Sequence, residues 1–230
     1  MTEPSKQESK FRSAIKLVPI WLWLPVVLAA LAPAVYFGVW QPVKHHYFPR
    51  NWGVVEEGWI YRSGEMPASL IRDALAEHKI RVLIVLYGQD GEDEEQIAME
   101  QAAGELAIDV KRFPMQGDGT PAETDRNQGL SKYAAAVAAI AQARREGKPV
   151  LVQCSAGTHR TGGIVATYRL LVERKPAGFA YSELCEYGWD PRKHGDLLKF
   201  LNPAMAEIAA KLVEMGAIPE LPQPIPVLGS

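Results

Sequence analysis

Cysteine is scarce in this chain of 230 residues, which contains only Cys154 and Cys185. Two isolated cysteines cannot build a disulfide framework, and they do not form the closely spaced pairs of a structural zinc site. The sequence therefore excludes a disulfide-stapled domain and predicts no metal site. Cys185 stands in a helical pattern and is expected to pack in the core, or alternatively to form a reversible disulfide with Cys154.

An excess of positive charge is also lacking. The formal net charge is −2, and the residues after position 44 include 20 basic and 25 acidic side chains. A protein that binds nucleic acid needs a clustered basic surface. The charge balance therefore argues against a nucleic-acid partner.

The third absence is local, since residues 17–43 contain no charged side chain. A membrane-spanning helix needs roughly 20 apolar residues, and Trp and Tyr residues lie near both ends of this run, as they do at membrane interfaces. The pattern predicts one transmembrane helix over residues 18–40, after a short basic segment at 1–17 and before a linker at 41–53. The alternative of a buried core helix is disfavoured because no polar face interrupts the run.

The membrane helix is expected to stay on the chain, because Pro33 directly follows the small residues at which a signal peptide would be cut. Four Lys or Arg residues precede the helix, and two follow it within ten residues. The positive-inside bias therefore predicts a single-pass protein with a cytoplasmic N-terminus and the rest of the chain on the other side of the membrane.

Residues 54–216 have the length of one domain, and the proline-rich tail at 217–230 is expected to be extended and poorly packed. Within the domain, short apolar runs such as "RVLIVLYG" alternate with helical patterns such as "SKYAAAVAAIAQARREG". Such alternation is typical of α/β proteins. It predicts a central, mostly parallel sheet flanked by helices, with "GWIYRS" as the first strand.

The chemistry of the domain is concentrated in "VLVQCSAGTHRTGGIV", residues 150–165. An apolar strand leads to Cys154, a loop of small residues follows, and a helix begins near Thr161. Backbone N–H groups in such a loop, with the positive end of the helix, form a cradle for a tetrahedral oxyanion such as phosphate. The competing interpretations are a passive phosphate-binding loop and an ordinary strand-to-helix turn.

Three side chains favour a catalytic loop. A helix N-terminus and a nearby cation stabilise the thiolate of Cys154. The planar guanidinium of Arg160 can hold two phosphate oxygens, and the hydroxyl of Thr161 can donate a hydrogen bond to the sulfur as it departs. The residues expected to bind the phosphate are Ser155, Ala156, Gly157, Thr158, His159 and Arg160.

The segment Cys-Ser-Ala-Gly-Thr-His-Arg-Thr-Gly resembles the C-x5-R-[ST] signature loop of the cysteine-dependent protein tyrosine phosphatases, and most closely their dual-specificity branch. "WIYRSGEMP", earlier in the chain, also resembles the opening strand of bacterial members. The resemblance implies hydrolysis of phosphate monoesters through a cysteinyl-phosphate, without a metal or another cofactor. It implies that Cys154 is the nucleophile, Arg160 the phosphate clamp and Thr161 the hydroxyl that eases departure of the thiolate.

The sequence departs from this family at Gln153, where a histidine usually stands, and we expect the lost positive charge to weaken stabilisation of the thiolate. The family also places an aspartate, which protonates the leaving group, on a loop before the cysteine. Asp118 in "FPMQGDGTPAETD" has flanking glycines and is the expected acid and base, the alternative being an ordinary turn residue. Asp125 is the second candidate, although it is expected to cap the following helix instead.

No permanent charge occurs between Cys154 and Arg160, which favours a substrate with one phosphate, namely phosphotyrosine or phosphoserine/threonine on protein. The predicted anchor would hold the domain near lipid headgroups, so a phosphoinositide is the alternative substrate. A catalytically silent phosphate-binding module and a sulfur transferase are further alternatives. His159 would touch the substrate or contact nothing. Arg62 and Ser63 are expected to pack at a sheet edge, the alternative being that they line the pocket.

Overall fold

The structure of the chain is a computed structural model, and it describes residues 20–36, 38 and 49–229. The chain divides into two units, residues 1–44 and 45–230. Each unit is described by itself below.

In the first unit, helix α1 spans Ile20–Val35 and contains two prolines. Several of its apolar side chains are exposed, among them Leu28 and Leu31. Within the described ranges, no helix is both long and apolar enough to cross a membrane. The predicted span 18–40 begins and ends outside the described residues, and the predicted basic segment 1–17 lies outside them entirely, so both stay predictions.

The described part of the second unit contains five strands and six helices. The strands are β1 (Gly53–Glu56), β2 (Ile60–Ser63), β3 (Val82–Val85), β4 (Asp109–Arg112) and β5 (Val150–Gln153). The helices are α2 (Ala68–Glu77), α3 (Glu94–Glu105), α4 (Arg126–Arg145), α5 (His159–Leu171), α6 (Ala177–Glu186) and α7 (Asp196–Glu214). Strands and helices alternate from β2 to α5, which confirms the predicted α/β class.

The five strands form one sheet in the order β1-β2-β5-β3-β4. β1 runs antiparallel to β2, and the other neighbouring pairs are parallel, so the prediction of a mostly parallel sheet is confirmed. β5 lies between β2 and β3, and its last residue Gln153 pairs with both Ser63 and Val85. The carboxyl ends of these strands therefore meet at one edge, which is where open α/β sheets bind ligands.

Two groups of helices cover the sheet. α2 packs against α3, while α4, α5, α6 and α7 form a second group of packed neighbours. Every residue of β2, β3 and β5 is buried. Both faces of the central strands are therefore covered, as is usual for parallel strands, and the apolar core lies on both sides of the sheet.

Local sequence signals define the ends of two helices near the site. Asp93 caps α3 by accepting a hydrogen bond from the N–H of Gln96 at 3.0 Å. Asp125 caps α4 in the same way, accepting from the N–H of Gln128 at 2.8 Å, which confirms its predicted capping role. Gly147 follows α4 with φ of +66°, a conformation that glycine adopts readily at helix ends.

Strand β1 begins in the segment that was expected to be a linker. Gly53 pairs with Arg62 of β2 in an antiparallel ladder. The first strand of the sheet is therefore β1, and "GWIYRS" supplies the second. The sequence signal for β1 is weak because its four residues, GVVE, contain only two apolar side chains.

The proline-rich tail is exposed at several positions, including Leu221 and Val227, but contrary to the expectation of a poorly packed segment it is fastened to the domain at Leu228. Leu228 is 2 % exposed. Its N–H donates to the side-chain oxygen of Asn202 at 2.9 Å, and its C=O accepts from the side-chain nitrogen of the same residue at 3.1 Å. One asparagine of α7 thus satisfies both backbone groups of Leu228, and this is what holds the tail against the helix.

Candidate active site

The loops that follow β2, β3, β4 and β5 meet at the carboxyl edge of the parallel strands. The loop after β5, residues 154–160, is called the cysteine loop here. It runs directly into α5, which begins at His159. The predicted sequence of strand, loop and helix is therefore present, and the centre of the sheet is joined to a helix N-terminus.

Cys154 lies at the base of the cysteine loop. The residue is 1 % exposed, and its Sγ accepts a hydrogen bond from the N–H of Gly157 at 3.2 Å. Thr158 precedes α5 and makes no side-chain capping bond. The first N–H groups of the helix are therefore left for an anion, and they add a partial positive charge beside the sulfur.

Gly157 gives the cysteine loop its shape. Its φ is +73°, in the left-handed region that favours glycine. A Cβ at this position would lie 2.5 Å from the backbone nitrogen of Gly64 and 2.8 Å from the carbonyl carbon of Ser63. Only glycine allows the loop to pack this closely against the end of β2 and to turn its N–H toward the sulfur.

Two neighbouring segments hold the cysteine loop from outside. The N–H of Glu65 donates to the C=O of Ser155 at 3.1 Å. The side-chain nitrogen of Asn51 donates to the C=O of Ala156 at 2.8 Å and to Oγ1 of Thr158 at 3.0 Å. These bonds occupy carbonyl groups of the loop and leave its N–H groups for a bound anion.

Arg62 on β2 is fully buried and supports the same loop. Its Nη2 donates to the C=O of Gly157 at 2.8 Å. The expectation that Arg62 and Ser63 pack at a sheet edge is wrong, because β1 pairs along β2 and makes it an interior strand.

Arg160 closes over the cysteine loop. Its Nη2 donates to Oγ of Ser155 at 3.0 Å, and its Nη1 donates to the C=O of Leu86 at 3.5 Å. Its Nε is buried and has no hydrogen-bond partner among residues 49–229. A phosphate oxygen would supply the acceptor that this guanidinium lacks.

Thr161 lies one residue after the loop arginine and is fully buried. Its hydroxyl donates to the C=O of Ser63 at 3.5 Å. This is a long and therefore weak hydrogen bond, so rotation of the hydroxyl toward Cys154 would cost little free energy. The role of Thr161 in departure of the sulfur stays a prediction.

Gln153, at the position where a histidine was expected, is bonded inside the core. Its side-chain nitrogen donates to the hydroxyl oxygen of Tyr87 at 3.0 Å and to Sδ of Met99 at 2.7 Å. Burial and the charge of Glu65 raise the pKa of Tyr87, which therefore stays protonated. The Gln153 side chain therefore links the end of β5 to α3, and it adds no charge to the site.

Asp118 lies exposed on the loop after β4. Its Oδ1 accepts hydrogen bonds from the N–H and the hydroxyl of Thr120, at 2.9 and 2.7 Å, as a turn aspartate does. The next residue, Gly119, packs so closely on α5 that a Cβ there would lie 3.1 Å from the carbonyl oxygen of His159. The loop therefore brings Asp118 to the rim of the cysteine loop.

His159 is half-buried, and its ring centroid lies 4.2 Å from that of His194. The expectation that it contacts nothing is therefore wrong. Burial lowers the pKa of His159, the neighbouring His194 and Arg160 lower it further, and Asp118 acts in the opposite direction. At neutral pH the His159 side chain is thus neutral, which leaves Arg160 as the cation of the loop itself.

Asn51 and Glu65 contact the cysteine loop without having been identified as site residues, whereas Arg62 was named only as an alternative pocket residue. Arg62 had a usable signal, since an arginine interrupts a strand pattern that otherwise suits burial. Asn51 had none, because its role depends on contacts more than a hundred residues away. Cys185 is half-buried and packs against the core as expected, and its pairing with Cys154 stays a prediction.

A cysteine at the end of a central strand, a glycine-bearing loop and an arginine at the start of the next helix define the class of cysteine-dependent phosphatases with a dual-specificity-like fold. The class implied by the signature loop is thereby confirmed. The chain belongs to the family described as "DSP-PTPase phosphatase fused to NAD+ Kinase", whose model matches residues 33–186. No curated protein matches the chain.

Solved structures with the same fold are distant in sequence. TpbA of P. aeruginosa is 21 % identical, with a TM-score of 0.55, over 73 % of this chain and 91 % of that one. The core catalytic domain of the PP-IP phosphatase SIW14 from S. cerevisiae is 16 % identical, with a TM-score of 0.54, over 74 % and 96 %. PTPMT1 is 16 % identical, with a TM-score of 0.51, over 71 % and 99 %.

Proposed function

We propose that this protein hydrolyses phosphate monoesters on protein through a cysteinyl-phosphate intermediate. The thiolate of Cys154 attacks phosphorus, the ester P–O bond breaks, and the carboxyl group of Asp118 gives its proton to the leaving oxygen. Water then attacks phosphorus, Asp118 takes a proton from that water, and the P–S bond breaks to release inorganic phosphate. Thr161 donates a hydrogen bond to the departing sulfur, and Arg160 holds two phosphate oxygens in both steps.

One observation carries this proposal, namely the hydrogen bond from the N–H of Gly157 to Sγ of Cys154 in a loop that Arg160 spans. The sulfur, the amide groups and the guanidinium of one short loop would then act on the same phosphate group. Such donors are most effective where they are already oriented before the reaction begins. The bonds from Asn51, Arg62 and Glu65 provide that orientation.

The preferred substrate is a side chain that carries one phosphate, either phosphotyrosine or phosphoserine/threonine. The five residues between Cys154 and Arg160 have no permanent charge, and burial keeps His159 neutral. A substrate with several phosphates would need additional cations at the loop. A structure of TpbA was determined in complex with pTyr, which accords with this choice.

A phosphoinositide is the second candidate substrate, and the apolar N-terminal segment is the observation that favours it. We propose that residues 18–40 anchor the chain in a membrane as a single pass, with the N-terminus on the cytoplasmic side. Leu28 and Leu31 of α1 are more than half exposed, so apolar surface there needs a cover such as lipid. An anchored domain would meet lipid headgroups at high local concentration.

The test of the activity is hydrolysis of an aryl phosphate by the full-length protein in detergent. Cys154→Ser is expected to lower kcat by at least about 10⁴-fold, because it removes the nucleophile. Vanadate should block the wild-type protein, and a chelator should leave its rate unchanged. Absent turnover together with tight vanadate binding would instead identify a silent phosphate-binding module, and thiosulfate consumption would identify sulfur transfer.

Asp118→Asn tests the assignment of the general acid. We expect kcat for the aryl phosphate to fall about 10²-fold, since an amide cannot protonate the leaving oxygen. The fall of the rate at high pH, which reports deprotonation of that acid, should flatten in the same variant. Asp125→Asn serves as the control, because Asp125 only caps α4. An unchanged pH profile for Asp118→Asn would remove Asp118 from the mechanism.

A further inference from the structure

Arg62 is a buried cation without a buried anion to pair with. The residue is 0 % exposed, and within residues 49–229 no carboxylate lies within 4.0 Å of its guanidinium. Glu183, the nearest source of negative charge on α6, is bound by Arg169 through two bonds of 2.9 Å. A buried cation without an ion pair is unfavourable, so an anionic group at the site would stabilise Arg62.

The contacts that Arg62 does make lead to the cysteine loop. Its guanidinium carbon lies 3.8 Å from the ring centroid of Tyr187, an interaction that stabilises a cation but does not neutralise it. Its Nη2 bonds to the C=O of Gly157 at 2.8 Å, and the N–H of that same glycine bonds to Sγ of Cys154 at 3.2 Å. Arg62 is therefore linked to the sulfur of Cys154 through the backbone of a single residue, Gly157.

The charged and titratable groups that face Arg62 come from three elements. They are Glu183 on α6 and Tyr187 at its end, Arg169 on α5, and Cys154 in the cysteine loop. Burial lowers the pKa of Arg62 to about 10, and the negative forms of Glu183, Tyr187 and Cys154 act against that effect. Arg62 stays protonated at neutral pH, and its attraction to an anionic sulfur is mutual.

We propose that Arg62 is a positioning residue that keeps the Cys154 sulfur anionic and holds Gly157 in the conformation that cradles it. Arg62 thereby replaces the charge that Gln153 cannot provide, since the amide of Gln153 is bonded to Tyr87 and Met99. Arg62, a residue of β2, thus makes up for the weaker stabilisation of the thiolate that is expected from Gln153. This inference rests on the proposed function of Cys154 as a nucleophile.

The experiment measures the rate at which iodoacetamide alkylates Cys154 in the full-length protein between pH 4 and 9. Peptide mass spectrometry separates Cys154 from Cys185. Arg62→Gln removes the charge and, being shorter, also gives up the bond to the C=O of Gly157, and it is expected to raise the midpoint of the alkylation profile by about one pH unit. Arg62→Lys keeps the charge, and its midpoint should stay within about 0.3 pH units of wild type.

Arg72→Gln is the matched control, because Arg72 is an exposed arginine on α2, and its profile should match wild type. Equal midpoints for Arg62→Gln and wild type would overturn the proposal, and so would equal upward shifts for Arg62→Gln and Arg62→Lys. If circular dichroism shows Arg62→Gln to be unfolded, a shift of about one unit in Arg62→Lys alone overturns it.

The readout needs no phosphate ester, so it separates the two proposals. Alkylation profiles that shift as expected in a protein without phosphatase activity would reject the proposed function and leave the role of Arg62 intact. Phosphatase activity together with an unshifted alkylation profile would support the proposed function and reject the role of Arg62.

Discussion

Arg160→Lys is expected to lower kcat/KM for an aryl phosphate by about 10³-fold, because it removes an oriented donor that acts on the charge of the transition state. The guanidinium already spans the loop, with one nitrogen on Oγ of Ser155 and another on the C=O of Leu86. Lysine keeps the charge but cannot form the parallel pair of bonds that a planar fork makes to two oxygens. Steady-state kinetics of the full-length protein measure the effect.

The matched control for this variant is Arg112→Lys, since Arg112 lies on the edge strand β4 and pairs with Glu100. Its kcat/KM should remain close to wild type. A decrease of less than about tenfold in Arg160→Lys would mean that charge alone, rather than bidentate geometry, accounts for the role of Arg160.

Gly157→Ala is expected to lower the free energy of unfolding by about 3 kcal/mol, because it combines a steric clash with a left-handed backbone. The added Cβ would meet backbone atoms of Gly64 and Ser63 at 2.5 and 2.8 Å. These atoms belong to the end of β2 and cannot move aside like a flexible side chain. Denaturant unfolding monitored by circular dichroism measures the loss.

Activity should fall with Gly157→Ala even where the protein remains folded. A displaced loop no longer directs its N–H to the sulfur, and a displacement of about 1 Å at a reacting group costs roughly 10²-fold in rate. Gly88→Ala is the control, since a Cβ there meets nothing within 4 Å. Wild-type stability and rate in Gly157→Ala would contradict the close packing of the loop on β2.

The parts of the site that could be predicted are those encoded within one short stretch. Cys154, Gly157 and Arg160 occupy one loop between an apolar strand and a helix, so spacing alone places them around one centre. The capping role of Asp125 was equally local, because the helix it caps begins at the next residue. Local patterns of this kind predict the structure well because few contacts from distant segments override them.

The parts that could not be predicted depend on distant segments. Arg62 lies on an interior strand because β1 pairs with β2, and the sequence of β1, GVVE, leaves no clear strand pattern. Asn51 reaches across to residues 156 and 158 from the segment expected to be a linker. The tail is held by two hydrogen bonds between Asn202 of α7 and the backbone of Leu228. A hydropathy pattern cannot predict these bonds, because they depend on one polar side chain.

The side chain of Asn51 also decides where the catalytic unit begins. A shortened chain that started at the predicted boundary, residue 54, would retain Cys154, Arg160 and Asp118, the proposed nucleophile, clamp and acid. It would lose both bonds that fasten Ala156 and Thr158, together with the first residue of β1. We therefore expect a fragment that begins before Asn51 to be more active than one that begins at residue 54, because Asn51 holds part of the cysteine loop.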